Sequence, residues 1–362
     1  MSSHGVRATG LGVACAAVGL WLVDLAVWQP ASEPKGPDAS AENNAYWARD
    51  LRWALIAAAV VGVVLAYRGA RRPALLAAIA GLVWPVADAL LDRLDVGPVF
   101  GWSAGICVVL AAVVAFVRGR ATPVAGVGRG PGMLSAFARG RATPVAGLGR
   151  GALTVSAFVA AGAVPLAAAT QSPTDTERAL TVGSAATAAL LVLAAFGAAA
   201  ASAPSRRRNM AAVLLVLPAF ALVAAARAVA PEHRAPQVMG LAVLMLTGVW
   251  ALSRRGPWTN AVARCVLAAL ALTVAYTVVS IVVFLLTGFT SAIATVFTWL
   301  AGSPAVNSSD TDALLSLPGI VAGLAIGLAV YARDRPRPAE IHGRPTESWP
   351  ELALREPTDS DA

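Results

Sequence analysis

Ten long apolar runs alternate with short polar segments along the chain. A helix that crosses a bilayer needs about 20 predominantly apolar residues, and in lipid its backbone polar groups must be satisfied within the segment. Each run therefore predicts a transmembrane helix. The predicted segments are Leu11–Trp28, Leu51–Tyr67, Ala74–Leu91, Phe100–Val117, Ala152–Thr170, Ala179–Ala203, Met210–Ala230, Gln237–Ser253, Ala261–Gly288 and Leu314–Ala332. The pattern predicts an all-α fold, a polytopic transmembrane helical bundle of about ten spanning helices.

The positions of the basic residues predict how these segments are oriented. If the N-terminus is cytoplasmic, 21 of the 28 basic residues fall in cytoplasmic segments or at cytoplasmic helix ends, and seven fall on the outer side. No cytoplasmic loop before the C-terminal tail contains Asp or Glu. Because basic residues mark the cytoplasmic side of membrane proteins, both termini are predicted to be cytoplasmic. A missed helix would invert every later loop, so the same bias supports the count of ten.

The composition agrees with this interpretation. Hydrophobic residues make up 57% of the 362 residues and charged residues 13%, against about 25% charged residues in soluble domains. The net charge of +8 is divided among short clusters between apolar runs, which is not the pattern of a nucleic-acid-binding face. Lys35 is the single lysine, and the arginine-, alanine- and glycine-rich composition is typical of a GC-rich genome. We expect a multi-pass protein of a bacterial cell membrane that binds no nucleic acid.

A basic linker, residues 118–151, divides the apolar runs into two groups. It contains a tandem repeat, in which residues 115–130 and 136–151 differ at two positions with an offset of 21 residues. The Gly and Pro content argues against a helix, and a loop that accepts an inserted copy is exposed. We expect a solvated cytoplasmic segment. The alternative is that Arg118–Arg150 binds anionic lipid headgroups or a cytoplasmic protein partner.

Three further segments lie outside the predicted helices. Residues 29–50 form a polar outer loop, and residues 290–302 are apolar but too short to span, which predicts an interfacial or re-entrant segment on the outer face. The tail is charged and Pro-rich, so we expect it to be disordered. The predicted organisation is thus four membrane helices, 1–117; the basic linker, 118–151; six membrane helices, 152–332; and the cytoplasmic tail, 333–362.

Three charged residues fall inside the apolar runs. Asp24, Asp88 and Arg227 each lie about one turn from the outer end of a predicted helix. A charge at the centre of a bilayer costs about 2.5–3.5 kcal/mol on insertion scales, so intramembrane charges are candidates for functional sites. At similar depth the three side chains could form one substrate-binding site. The alternative is that each side chain reaches water at the interface by itself.

Other constellations favour no enzyme. Gly101–Gly105 matches the G-x-S-x-G pattern of hydrolases, but the strand that must precede the nucleophile turn is missing. Cys15, Cys107 and Cys265 have neither metal-binding nor disulfide spacing. We therefore assign no catalytic residue, no metal site and no cofactor.

Prolines and glycines predict how the helices bend and pack. Pro85, Pro165, Pro218 and Pro318 interrupt predicted helices, as in transporters with broken helices, although proline is common in any membrane helix. Residues 319–327 contain three glycines at four-residue spacing, which predicts a close-packing face. That face could serve a dimer contact, but internal packing is favoured in a bundle of this size.

These features favour a transporter or permease-like protein for a small solute or lipid. Asp24, Asp88 and Arg227 would meet the substrate, and the proline-bearing helices would move. The alternative is a non-catalytic membrane scaffold or sensor subunit that binds a cytoplasmic partner through its Arg-rich linker and tail. An enzyme acting on lipid-linked substrates is disfavoured, because the sequence offers no set of acid, base or metal ligands. In every case the lipid bilayer surrounds the bundle.

Overall fold

The computed structural model describes residues 3–29, 46–93, 142–170, 177–254, 261–286 and 316–333. Every regular element within these ranges is helical, which confirms the all-α prediction for them. The α-helices are α1 (Ser3–Val23), α2 (Tyr46–Ala66), α3 (Arg71–Arg93), α4 (Ala142–Ala169), α5 (Glu177–Ser202), α6 (Arg206–Ala228), α7 (Ala235–Ser253), α8 (Ala261–Phe284) and α9 (Ser316–Arg333). A π-helical turn, Asp24–Trp28, extends α1, and a 3₁₀ turn, Pro231–His233, precedes α7.

Each described α-helix coincides with one of the predicted segments, and most extend beyond it. For example, α1 begins at Ser3 rather than Leu11, and α6 begins at Arg206 rather than Met210. The apolar run marks the length that lipid requires, whereas a helix can continue into the headgroup region. Outside the described residues lie the predicted helix Phe100–Val117, the G-x-S-x-G pattern, most of the outer loop and of the basic linker, segment 290–302 and the tail beyond Arg333.

Seven of the described helices are long and apolar enough to cross a membrane. They are α1 with its π turn and α4 to α9. The helix α2 is not among them, because every 18-residue stretch of it includes Arg49, Asp50 and Arg52. Yet α2 is buried along most of its length. Its charges are therefore enclosed by neighbouring helices rather than presented to the surroundings.

The last ten residues of the predicted basic linker are helical, whereas their Gly and Pro content had argued against a helix. The helix α4 begins at Ala142, and residues 142–151 of the second repeat copy form its first turns. Pro144 falls in the first turn, where proline removes no hydrogen bond and its fixed φ suits a helix start. Gly149 lies against Gly69, a positive-φ residue in the turn between α2 and α3. The glycine that argued against a helix thus permits a close contact.

Small residues let the central helices approach closely. The helix α4 packs on α5 and α9, and α1 packs on α2. A Cβ atom added at Gly323 would collide with the backbone of Phe158 on α4, and one added at Gly319 would collide with Gly162. The glycine ladder of α9 therefore faces α4, which confirms the prediction of internal packing.

The described helices continue through their prolines, which favours the alternative that proline is simply common in membrane helices. Pro85, Pro165 and Pro218 are interior residues of the continuous helices α3, α4 and α6. Pro318 lies in the first turn of α9, which begins at Ser316. A proline in that turn is tolerated because the N–H that it lacks would have no partner within the helix.

The exterior of the bundle is apolar along the helix axes. Large hydrophobic side chains are exposed on α3, α6 and α8, among them Leu82, Leu217 and Leu267. Contiguous exposed apolar surface is rare on soluble proteins, whereas it is the surface that lipid requires. This exterior fits the membrane prediction.

Charged residues gather at the two ends of the bundle. The first, which we name the buried-charge end, contains the buried residues Asp24, Arg49, Asp50, Arg52, Asp88, Arg227 and Arg234. The opposite end, which we name the arginine end, contains the exposed residues Arg68, Arg71, Arg72, Arg206, Arg207, Arg264 and Arg333. Among the described residues, the arginine end has no Asp or Glu.

Candidate functional site

Arg52 joins two of the three predicted site residues. Its Nη1 lies 3.2 Å from Oδ1 of Asp24, and its Nε lies 3.0 Å from the Asp88 carboxylate. The side chains are 1%, 0% and 0% exposed respectively. We name Asp24, Arg52 and Asp88 the ionic triad. It links α1, α2 and α3 through one guanidinium group.

Aromatic side chains support the α3 side of the triad. The indole Nε1 of Trp21 donates a hydrogen bond of 3.0 Å to Asp88. Trp84, one turn before Asp88, meets Trp21 edge to face with ring centroids 5.3 Å apart. An indole supplies apolar area and one N–H donor, so Trp21 both packs against α3 and satisfies a carboxylate oxygen.

The π-helical turn adds an amide to the Asp24 side of the triad. The Arg52 Nη1 atom also donates to Oε1 of Gln29, at 2.5 Å. In an α-helix, residues five apart point in directions about 140° apart. Here the backbone N–H of Gln29 bonds to the carbonyl of Asp24, which is the five-residue bond of a π-helix. This turn lets both side chains reach the same nitrogen, and such turns recur at functional sites.

Because the ionic triad is buried, each of its charges is stable only while it is paired with the others. Removing a charged group from water costs several kcal/mol per ion even after relaxation. Attraction and charge-assisted hydrogen bonds offset that cost only while every partner remains in place. The presence of the triad is therefore weak evidence that it stabilises the protein. A change of charge on any of its three residues, however, should alter the contacts between α1, α2 and α3.

Arg227, the third predicted site residue, has different described partners. Its Nη1 atom donates to the carbonyls of Ala168 and Thr170, at 3.4 and 2.6 Å, and its Nη2 donates to the Thr181 hydroxyl at 3.1 Å. Arg234 donates to the same Thr170 carbonyl at 3.2 Å. The carbonyls after the last turn of a helix have no partner within it. Arg227 thus caps the end of α4 and ties α6 to α4 and α5.

Asp50 forms another buried contact at this end. Its Oδ1 atom accepts hydrogen bonds from the backbone N–H and the hydroxyl of Ser316, at 3.3 and 3.2 Å. Ser316 is the first residue of α9, and a carboxylate at a helix N-terminus is favoured by the helix dipole. Asp50 therefore positions α9 against α2.

Arginines at the arginine end make the same kind of bond nearer to solvent. Arg150 donates to the carbonyl of Ser253 at 2.8 Å, and Arg208 donates to the carbonyl of Arg254 at 2.8 Å. The Arg254 guanidinium lies 5.0 Å from the centre of the Trp250 ring. These half-buried arginines cap the end of α7, while the exposed ones project from the bundle.

Sequence reasoning placed Arg52 at an outer helix end and missed its role. A usable signal was present, because Arg52 is the one arginine inside the first three predicted segments, which also contain Asp24 and Asp88. Two intramembrane carboxylates require a cation, and Arg52 is the one basic residue inside those three segments. Trp21 gave no such signal, since tryptophans near helix ends are common interface anchors.

Within the described ranges, no three His, Cys, Asp or Glu side chains gather into a group that could hold a metal ion. Comparison with family models, with curated proteins and with solved structures finds no match to this chain. The site's chemistry must therefore be argued from the ionic triad and its neighbours.

Proposed function

We propose that this chain is a membrane transporter for a small solute or lipid, in which the ionic triad handles the substrate or a coupling ion. The observation that supports this proposal is the complete burial of Asp24, Arg52 and Asp88 inside an apolar-surfaced bundle. Intramembrane charges of this kind mark substrate and ion pathways. Arg227 contributes through the adjacent α4–α6 contact rather than within the triad.

The packing of α3 suggests which part moves. Among the described side chains of Arg71–Asp88, only Ala77 and Asp88 are buried, and α3 packs chiefly on α2. Asp88 and Trp84 hold its far end against Arg52 and Trp21. A charged group that competes for Arg52 or for Asp88 would loosen this attachment and open the buried-charge end.

Transport by reconstituted protein tests this proposal. The full chain in liposomes is offered four probes: tetraphenylphosphonium, lactate, alanine and a fluorescent phosphatidylcholine. Wild type should move at least one probe faster than protein-free liposomes do. The Asp24→Asn, Asp88→Asn double variant should lose about tenfold to a hundredfold of that rate, because charge-assisted bonds contribute about 1.5–3 kcal/mol.

Asp50→Asn is the matched control for this experiment. Asp50 is a buried aspartate at the same end, but its described partner is Ser316 of α9. This variant should transport at a rate close to that of wild type. Movement of no probe contradicts the transporter, and equal rates in wild type and the double variant contradict the role of the triad.

We also propose ten crossings with both termini in the cytoplasm of a bacterial cell. The start of α4 supports this count, because Gly149 lies against Gly69 beside the start of α3. The 23 residues of α3 carry the chain about 34 Å away from that point. Arg93 and Ala142 therefore lie towards opposite ends of the bundle, which is the distance that the predicted helix Phe100–Val117 would span.

Cysteine labelling tests the orientation. Ala70 and Ala235 are exposed alanines beside helix starts, at the arginine end and the buried-charge end respectively. In a chain with its native cysteines replaced by alanine, a membrane-impermeant maleimide should label Ala235→Cys on intact cells. It should label Ala70→Cys only after lysis. The reverse result would invert the proposed topology.

The second candidate function is a membrane scaffold or sensor subunit. It is favoured by the arginine end, whose exposed guanidinium groups face no carboxylate among the described residues. Such a surface suits an acidic protein partner or anionic lipid. Deleting one 21-residue repeat copy together with residues 334–362 separates the two functions. Transport should survive if the first proposal holds, and partner recruitment should be lost if the second holds.

A further inference from the structure

We infer that the ionic triad is a proton-binding site, in which Asp24 takes the proton and Arg52 is the resident counter-ion. This inference rests on the proposed function, because it names the coupling ion of the same site. Two carboxylates on different helices share one guanidinium group. Each carboxylate lies within 3.2 Å of Arg52, so each is held near another negative charge.

The partners of the two carboxylates assign the proton to Asp24. Asp88 accepts hydrogen bonds from both Trp21 and Arg52, and donors of this kind favour the charged carboxylate. The Arg52 Nη1 atom that holds Asp24 is shared with the amide oxygen of Gln29. Gln29 and Asp24 therefore share one donor atom of Arg52.

Gln29 also supplies an acceptor for the protonated form. When a hydronium ion transfers a proton to a carboxylate oxygen of Asp24, one O–H bond of hydronium breaks, one O–H bond forms on the carboxyl group, and water is left. The carboxyl group then becomes a donor. The Gln29 oxygen, held on the same Arg52 nitrogen, can accept that hydrogen bond. Arg52 is then left with Asp88 as its charged partner in the triad. Protonation thus replaces the ion pair between Asp24 and Arg52 with a hydrogen bond between Asp24 and Gln29 inside the π turn.

Among the described residues, the charged groups nearest the ionic triad come from α2. From α2, Arg52 bonds to both carboxylates, while Arg49 and Asp50 are buried one turn or less away and Asp50 accepts from Ser316. From α5, residues 180–202 contain no ionisable side chain. The described side chains of α1 and α3 at this end contribute Asp24 and Asp88 as their ionisable groups.

Infrared difference spectroscopy of the purified full chain across a pH titration tests the proton site. Wild type should gain one carbonyl band of a protonated carboxyl group that Asp24→Asn lacks and that the control Asp50→Asn retains. A band that persists in Asp24→Asn, or a wild-type titration without a carboxyl band while the protein remains folded, overturns the inference.

Gln29→Leu keeps the test decisive if Asp24→Asn does not fold. This variant preserves the Asp24 carboxylate but removes the acceptor of its protonated form. The band should then appear at a proton concentration about tenfold higher than in wild type. An unchanged midpoint overturns the role of Gln29 and, with it, the assignment to Asp24.

Probe transport measured on the same preparations separates the inference from the proposed function. Transport of a probe without the carboxyl band would retain the transporter and overturn the proton site. The band without transport of any probe would retain the proton site and overturn the transporter. Both results together support the coupled interpretation.

Discussion

The two ends of the bundle differ in how deeply their arginines are buried. At the buried-charge end, Arg52 and Arg227 are 1% and 7% exposed and bond to carboxylates and to helix carbonyls. At the arginine end, Arg71, Arg206 and Arg264 are exposed, and none of the described residues there is acidic. The same residue type is therefore buried among fixed partners at one end and largely exposed at the other.

The difference follows from hydration: folding removes water from the buried guanidinium groups but not from the exposed ones. A buried cation must recover its solvation from fixed partners, so its loss leaves other polar groups without theirs. An exposed cation keeps its water, and its interactions are screened by salt over about 10 Å at 0.1 M ionic strength. Burial rather than charge should then decide the size of each mutational effect.

The largest effect is expected from Arg52→Leu. This change leaves two buried carboxylates beside each other without their shared cation, and breaking a buried ion pair typically costs about 3–5 kcal/mol. Arg264→Leu at the arginine end should change the free energy of unfolding by less than about 0.5 kcal/mol. Reversible unfolding in mixed micelles measures both values.

A triple variant distinguishes pairing from general damage at the triad. Asp24→Asn, Arg52→Gln, Asp88→Asn removes all three charges together and should recover much of the stability that Arg52→Leu loses. If the triple variant were as unstable as Arg52→Leu, the loss would come from packing rather than from unpaired charge. The distinction between the two ends would then rest on burial of side-chain volume alone.

An intermediate effect is expected from Arg227→Leu compared with Arg208→Leu. Both side chains donate to backbone carbonyls at helix ends, but Arg227 is buried and Arg208 is half-buried. Hydrogen bonds to charged groups contribute about 1.5–3 kcal/mol when buried, so Arg227→Leu should cost that amount. Solvent should reduce the cost of Arg208→Leu to about 1 kcal/mol or less. Equal losses in the same unfolding assay would contradict the comparison.

The smallest effect, with the opposite sign, is expected from Arg206→Gln with Arg207→Gln. Both arginines are exposed in the first turn of α6, where a cation is disfavoured by the helix dipole by about 0.3–1 kcal/mol per charge. In zwitterionic nanodiscs the double variant should therefore be slightly more stable than wild type. In anionic nanodiscs the gain should vanish, because each lost arginine removes about 1 kcal/mol of attraction to lipid. Added salt should reduce the difference between the two lipids, because it screens both the helix dipole and the lipid charge.

The helices were predictable because each apolar run carries its own signal. The nine described α-helices coincide with predicted segments. The length and hydropathy of a segment are local properties, and the thickness of the bilayer sets the values that a spanning helix needs. The boundaries were less accurate at α4, where Gly149 and Pro144 looked like loop residues. Their suitability depends on a neighbouring turn at Gly69 and on a position in the first helical turn, and neither is visible within the segment itself.

The candidate site was only partly predictable for a related reason. Asp24 and Asp88 stand out because a carboxylate inside an apolar run is costly wherever it lies. Arg52 did not stand out, since it occupies the second position of its run and could equally well have reached water. Arg227 stood out as strongly as the aspartates, yet its described partners are helix carbonyls and a threonine.

The sequence by itself determined the helical class, the positions of the nine described helices and the concentration of their acidic residues towards one end. Each of these properties follows from single residues and their neighbours in the sequence, because the bilayer core acts on each segment separately. Only the tertiary structure decided which charges meet. Pairing depends on the rotation and depth of each helix, which are set by contacts such as those of Gly10 with α2 and Gly323 with α4. The partnership of Arg52 with Asp24 and Asp88 is therefore a property of the packed bundle.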